Sequence, residues 1–208
     1  IILPDSTQRF NSYTKYMMKK KIAIFLSKLS SYKKIDTFNS EIVLLLEGDV
    51  ELLPTFCKNT MQAISSVSPH WDSLFLGHCA ENYRRIKRKD CWEMSSNSYI
   101  SKGKYAMCSH AYLISSNGSK KLIDGLKNWN ETYISNIISK ASVWELETKR
   151  RRKWRRPVDL GPDVQIAELM KHEKIFTYLL WPQVALQPWQ RSMKDKYFTD
   201  MRIPQNCA

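Results

Sequence analysis

Ile42-Val43-Leu44-Leu45-Leu46-Glu47-Gly48-Asp49-Val50 is the stretch on which the fold reading turns. Its first five residues form an unbroken apolar run bounded by polar residues. That pattern predicts a short strand covered on both faces, as in a parallel or mixed sheet flanked by helices. Glu47 and Asp49 follow it directly. In open α/β sheets, ligands bind in the crevice at the carboxyl ends of the strands. A carboxylate pair there offers hard oxygen ligands to a divalent cation such as Mg2+ or Mn2+. Such a cation can neutralise a diphosphate leaving group. Gly48 lets the backbone approach a ligand with no side chain in the way. The same triplet also reads as a plain acidic turn, with Glu47 capping the next element.

Upstream, Met18, Ile22, Phe25, Leu26, Leu29 and Tyr32 recur at helical spacing between Lys15 and Ile35, which predicts an amphipathic helix with one buried face. Downstream, Pro54 and Thr55 open a helix to about Ser66, with Pro near the first turn where its missing N–H costs little. Trp71 to Leu76 reads as a second buried strand stopped by Gly77. Arg84 to Ser101 is polar, charged and weakly patterned, and reads as a long surface loop. Tyr105 to Ser115 is a third strand, and Asn117-Gly118 turns into a helix carrying Leu122, Ile123 and Leu126. Further helices are predicted over Tyr133 to Leu146 and Val164 to Met170, then a last strand from Ile175 to Leu180 ended by Pro182. Strands alternating with helices predict an α/β domain. We read one domain over residues 1–208, long enough to enclose a core.

The formal net charge is +13, gathered in Lys19 to Lys21, Arg84 to Lys89 and Lys149 to Arg156. Such runs attract anions, whether nucleic acid, phospholipid, polyanionic glycan or nucleotide diphosphate, or are solvated loop charges. Apart from Trp154, aromatics are not interleaved with the basic runs as stacking platforms for nucleic acid require, which argues against that partner. Lys149 to Arg156 suits an acidic acceptor or a membrane surface. No apolar run reaches the roughly 20 residues of a membrane-spanning helix. The five cysteines have no metal-ligand spacing. Cys79 with Cys91, or either with Cys108, suits a disulfide in an oxidising compartment, and buried free thiols are the alternative. Asn117-Gly118-Ser119 and Asn130-Glu131-Thr132 match the short glycosylation acceptor pattern. The chain opens at Ile1 without an initiator Met or a signal pattern, so we expect it to lack its native start.

The order of the segments carries a resemblance. Ile22-Ala23-Ile24-Phe25-Leu26-Ser27-Lys28-Leu29-Ser30, then Leu45-Leu46-Glu47-Gly48-Asp49-Val50, Trp71-Asp72-Ser73-Leu74-Phe75-Leu76-Gly77, and Cys108-Ser109-His110-Ala111-Tyr112-Leu113-Ile114-Ser115 with Gly118-Ser119-Lys120-Lys121-Leu122 stand in sequence. Pro157-Val158-Asp159 and a late Pro182, Gln187 and Ser192 follow. Together they resemble glycosyltransferase family 25, which includes lipooligosaccharide and collagen galactosyltransferases. The resemblance implies a GT-A type nucleotide-sugar transferase sandwich, an α/β fold with a mixed, mainly parallel sheet flanked by helices. It implies transfer of a hexose, galactose or glucose, from a UDP-sugar with Mn2+ (or Mg2+) and inversion. The acceptor would be a hydroxyl of a glycan, a lipid-linked glycan or a protein. The compartment would be the endoplasmic reticulum or Golgi lumen in a eukaryote, and the membrane-adjacent cytoplasm in a bacterium. Three departures stand out: Lys28 replaces the family's usual His, Gly48 replaces the middle acid, and the N-terminal nucleotide-binding strand and helix are missing or shortened. A catalytically degenerate member that binds a glycan or a partner is the alternative.

On this reading Asp49 is the direct metal ligand, and Glu47 ligates through water or contacts the donor ribose. Asp159 is the general base that takes the acceptor proton, or a further metal ligand; Asp163 fits a helix-capping role instead. His78 follows Gly77 at a strand end, where it suits a contact to donor or acceptor. His110 has that role or is a hydrogen-bonded core histidine. Gly48, Gly77, Tyr112, Ser115 and Gln187 belong to the matched blocks and are expected to shape the donor or acceptor pocket. Lys28, Lys102 and Arg191 are candidates to meet the diphosphate. Trp181 and Trp189 either stack on a sugar or pack in the core.

Overall fold

Asn11 starts the first helix. Its Oδ1 accepts the Thr14 N–H at 2.8 Å, satisfying one of the backbone donors that a helix start leaves open. The helix α1 (Ser12–Thr37) buries Met18, Ile22, Phe25, Leu29, Tyr32 and Ile35 along one stripe. Leu26, which the periodicity assigned to that stripe, lies on its flank and is exposed. The computed structural model describes residues 10–38, 40–79, 88–95, 98–104, 106–127 and 162–187, with isolated helical positions at 135 and 139. The expected helix over 133–146, the basic run at 149–156, Asp159, Trp189, Arg191 and Ser192 lie outside them, apart from those two helical positions.

After α1 come β1 (Ile42–Leu46), β2 (Glu51–Leu52), α2 (Phe56–Ser66), β3 (Ser73–Cys79), β4 (Cys91–Ser95), β5 (Ser98–Gly103), β6 (Met107–Ser115), α3 (Ser116–Lys127), α4 (Pro162–Lys171), β7 (Thr177–Trp181) and β8 (Ala185–Leu186). The main sheet has the order β1-β6-β3-β7-β5-β4, and β2 pairs separately with β8. The α/β class holds, but the expected mainly parallel sheet is corrected: only β3–β7 is parallel among the main sheet's pairings, and the sheet is mainly antiparallel. The alternation of strands and helices does align β1, β3 and β7 in one direction. It does not show that β6 inserts antiparallel between β1 and β3, or that β5 and β4 add on beyond β7.

The strand over Ile42–Leu46 forms as its sequence predicts, but it is not covered on both faces. It is an edge strand in which Val43 and Leu45 meet the core while Ile42, Leu44 and Leu46 are 39, 38 and 45% exposed. The helix on that second face, α2, packs against β4 and β5 at the far side of the sheet and leaves β1 uncovered. A second correction concerns Arg84 to Ser101. A short 3-10 turn at Arg88–Asp90 leads into the β4–β5 hairpin. Its signal was weak because β5 turns small polar residues inward: Ser98 and Ser101 are buried, and the Ser101 hydroxyl accepts the Trp181 Nε1–H at 2.8 Å.

Strand alternation sorts the core into two layers. On one face Phe75, Tyr112, Ile114, Leu179 and Trp181 pack with residues of α1, α3 and α4. On the other, Leu74, Leu76, Ala111, Leu113, Tyr178 and Leu180 meet Ala63 of α2, Val184 and Ala185 of β8. The amino end of β3 is tied down by Asp72, which is buried. Its carboxylate accepts the Phe176 N–H at 2.7 Å, the Lys121 ammonium at 2.8 Å and the Asn117 Nδ2–H at 3.1 Å, and its carbonyl accepts the Ser115 N–H at 3.0 Å. A side chain at Gly118 would collide with the Asp72 backbone, which explains the glycine in the first turn of α3. Asn117 and Ser119, the first acceptor pattern, are thus engaged: Ser119 is buried and donates to the Tyr32 carbonyl at 3.0 Å. Cys91 and Cys108 are both disulfide-bonded, and Cys57 is free and exposed.

Candidate functional site

Because β1, β3 and β7 run the same way, their carboxyl ends lie along one edge of the sheet. The Glu47 N–H donates to the His110 carbonyl at 2.8 Å, which carries the β1–β6 ladder one residue past Leu46. The chain then turns through Gly48 and Asp49, closed by the Val50 N–H on the Glu47 carbonyl at 3.2 Å. Pairing of Glu51–Leu52 with Ala185–Leu186 follows, and the residue after β8 is Gln187. That small sheet is what brings residue 187 to residues 47 and 49. The Gln187 Nε2 lies 3.2 Å from Glu47 Oε2, and 3.2 and 3.3 Å from the two Asp49 carboxylate oxygens.

From the helix side comes Lys28. Its ammonium is 2.8 Å from Glu47 Oε1 and donates to the Ser109 carbonyl at 2.8 Å and the Ser109 hydroxyl at 2.5 Å. A cavity of about 560 Å3 opens between α1, the end of β1 and β6. Ser27, Lys28, Ser31 and Tyr32 line its helix side, and Leu46, Glu47, Gly48, Ser109 and Tyr112 the sheet side. Tyr32 and Tyr112 share a buried hydrogen bond of 2.6 Å between their hydroxyls, and Tyr112 stacks on Phe75 at 5.0 Å. Burial raises both phenols well above their usual range, so both stay protonated.

The sequence-predicted residues separate into two groups. Glu47, Gly48, Asp49, Gln187 and Tyr112 come together at the cavity or the acid pair. His110 is buried beside them, its Nε2–H donating to the Ala185 carbonyl at 3.2 Å; burial lowers its pKa and keeps the ring neutral. Gly77 is held by close approach, since a β-carbon there would overlap His110 Nε2 and the Ala185 carbonyl oxygen. His78 turns into the core, with its backbone N–H on Gln183 Oε1 at 3.0 Å and its ring edge-on to Trp181 at 4.4 Å. Ser115 sits at the other end of β6, opposite Ile42, where its hydroxyl accepts the Gly118 N–H at 2.9 Å at the start of α3. Trp181 is a core residue, and Lys102 lies over the Phe176 ring at 4.6 Å, at the amino end of β7.

Sequence reasoning named Lys28 only as a diphosphate candidate and missed its pairing with Glu47, as well as the roles of Tyr32 and Ser109. Spacing places Lys28 one turn before Tyr32 on the buried side of α1; only the fold shows which carboxylate it meets. Among the described residues no group of three His, Cys, Asp or Glu side chains gathers to hold a metal. The donor set nevertheless fits Mg2+ or Mn2+, which are ordinarily held by one or two carboxylates and complete their shell with water and phosphate oxygens. Asp49 and Glu47 would be those carboxylates, and Asp49 is the more exposed of the two.

Residues 3–138 match the family model of glycosyltransferase family 25 (LPS biosynthesis protein), a span that includes Lys28, Glu47, Asp49, Ser109 and Tyr112. The chain belongs to glycosyltransferase family 25. It is also similar to a "Glycosyltransferase 25 family member" of Aedes aegypti, 30% identical over 111 residues. That alignment covers 52% of this chain and 17% of the Aedes protein's length.

Proposed function

We propose that this family 25 chain transfers a hexose, galactose or glucose, from a UDP-sugar to a hydroxyl of a glycan, a lipid-linked glycan or a protein, with inversion and in a GT-A type frame. The observation that supports this reading is the convergence of Glu47, Asp49 and Gln187 at the carboxyl edge of the sheet, beside the cavity under α1. Ligand sites of α/β sheets lie at such edges. Asp49 and Glu47 would hold Mn2+ or Mg2+, which when bound supplies Lewis-acid neutralisation of the departing diphosphate. Gln187 spans both carboxylates and keeps them side by side despite their like charge. Gly48, with nothing within 4 Å of where a β-carbon would stand, leaves the turn open to a bound group. Asp159 stays our candidate for the base that takes the acceptor proton. The disulfide-bonded Cys91 and Cys108 support an oxidising compartment, such as a secretory lumen.

The test is donor turnover with UDP-galactose and UDP-glucose in Mn2+, with and without acceptor. Asp49→Ala is expected to abolish it; undiminished turnover in that variant overturns the assignment of the acid pair. A second reading, a binding domain without turnover, is favoured by the Lys28–Glu47 ion pair, which already compensates one of the two acids. Under it, UDP binds and no donor is consumed.

A further inference from the structure

We propose that Lys28 is a positioning residue, a built-in counter-cation of the acid pair that occupies Glu47 and leaves Asp49 as the carboxylate open to a divalent ion. This rests on the reading of Glu47 and Asp49 as the cation site. An ammonium has three donors, and Lys28 has three acceptors in reach: Glu47 Oε1 at 2.8 Å, the Ser109 carbonyl at 2.8 Å and the Ser109 hydroxyl at 2.5 Å. The Tyr112 ring adds a cation–π contact at 5.7 Å. The side chain is anchored mid-way along a 26-residue helix and is only 14% exposed, so the charge is fixed and largely desolvated.

Glu47 has one oxygen on Lys28 and the other on Gln187, whereas the Asp49 carboxylate meets the Gln187 amide and no lysine ammonium among the described residues. The formal charge of Glu47, Asp49 and Lys28 together is −1 (two acids less one ammonium). A dication approaching the pair therefore meets half the net charge that two free carboxylates would present, and a fixed positive charge beside it. The same ammonium lines the cavity, where it favours a bound diphosphate even without a metal.

The experiment measures Mn2+ affinity of the whole chain from the electron paramagnetic resonance signal of free Mn2+, with no nucleotide present. Lys28→Gln is expected to bind Mn2+ at least about 10-fold more tightly than the unaltered chain, Lys28→Arg within about 3-fold of it, and Lys28→Gln with Asp49→Asn to lose the gain. Should Lys28→Gln fail to fold, Lys28→Met removes the same charge at similar length and carries the same expectation. Equal Mn2+ affinity with and without the lysine charge, whether tight or weak, overturns the proposal. A companion titration with UDP in EDTA is expected to show binding that Lys28→Gln weakens; undiminished UDP binding by that variant in EDTA also counts against it. The proposed activity is judged separately. If the unaltered chain binds no UDP either with Mn2+ or in EDTA, glycosyl transfer from UDP-sugars fails, while the Mn2+ ratio still decides the role of Lys28.

Discussion

Gly77 and His110 share a space with no room for a β-carbon: one on Gly77 would overlap the imidazole of His110 and the carbonyl oxygen of Ala185. The His110 carbonyl receives the Glu47 N–H, so a shift of His110 reaches the acid pair. Gly77→Ala is therefore expected to destabilise the fold by about 1–3 kcal/mol through overpacking. Denaturant melts measure that loss, and donor turnover at a temperature where the variant is folded should also fall. A variant as stable and active as the parent would show that the sheet edge yields freely.

The Tyr32–Tyr112 hydrogen bond gives a second expectation. Tyr112→Phe leaves the Tyr32 hydroxyl buried without this partner, and loss of the bond should cost about 1–3 kcal/mol. Removing both hydroxyls together should cost less than the sum of the two single changes. A double-mutant cycle on unfolding free energy reads the coupling; additivity would mean that the pair is not coupled.

Gln187 separates site from fold. It sits at the surface end of β8, and Gln187→Leu is expected to leave stability within about 1 kcal/mol of the parent. The same change removes the amide between two like charges and should weaken UDP binding in Mn2+ by on the order of 10-fold. Isothermal titration measures it, and unaltered affinity would remove Gln187 from the site.

Acid sensitivity should come from His78. Burial lowers its pKa from 6.5 to about 3, against a raising contribution from its hydrogen bond to the Leu180 carbonyl. Between those values the unfolded chain binds a proton that the folded chain does not, so stability rises with pH there. The contribution is fully present above about pH 6.5, shrinks as the pH falls, and is gone below about 3. His110, lowered by burial as well, acts in the same direction. Unfolding free energy measured from pH 7 to 4 should decline, and His78→Phe should make that decline shallower whatever its own stability.

The sequence made α1, the strand at Ile42–Leu46 and the acid pair legible, because each depends on local pattern: helical spacing, an apolar run and charge at a strand end. What it left hidden depends on partners far along the chain. The exposure of Leu44 is set by where α2 packs, and the inward serines of β5 by Trp181. Ser115 and Tyr112 look alike as neighbours in one matched block, yet they stand at opposite ends of the functional geography. Tyr112 faces the cavity, while Ser115 caps a helix. Likewise Lys28 reads as a free cation until Ser109, 81 residues later, closes around it.

Asp72 has a mechanical consequence. Its bonds to Phe176, Ser115, Asn117 and Lys121, with the Ser116 N–H on the Glu41 carbonyl, clamp the amino ends of β1, β3 and β7 at one rim of the sheet. The opposite rim carries Glu47, Asp49 and Gln187 and is joined by the two-residue pairing of β2 with β8. The strands are thus expected to be held more firmly at Asp72 than at that rim. Amides beside Asp72 should then exchange with solvent more slowly than those beside Glu47 and Asp49.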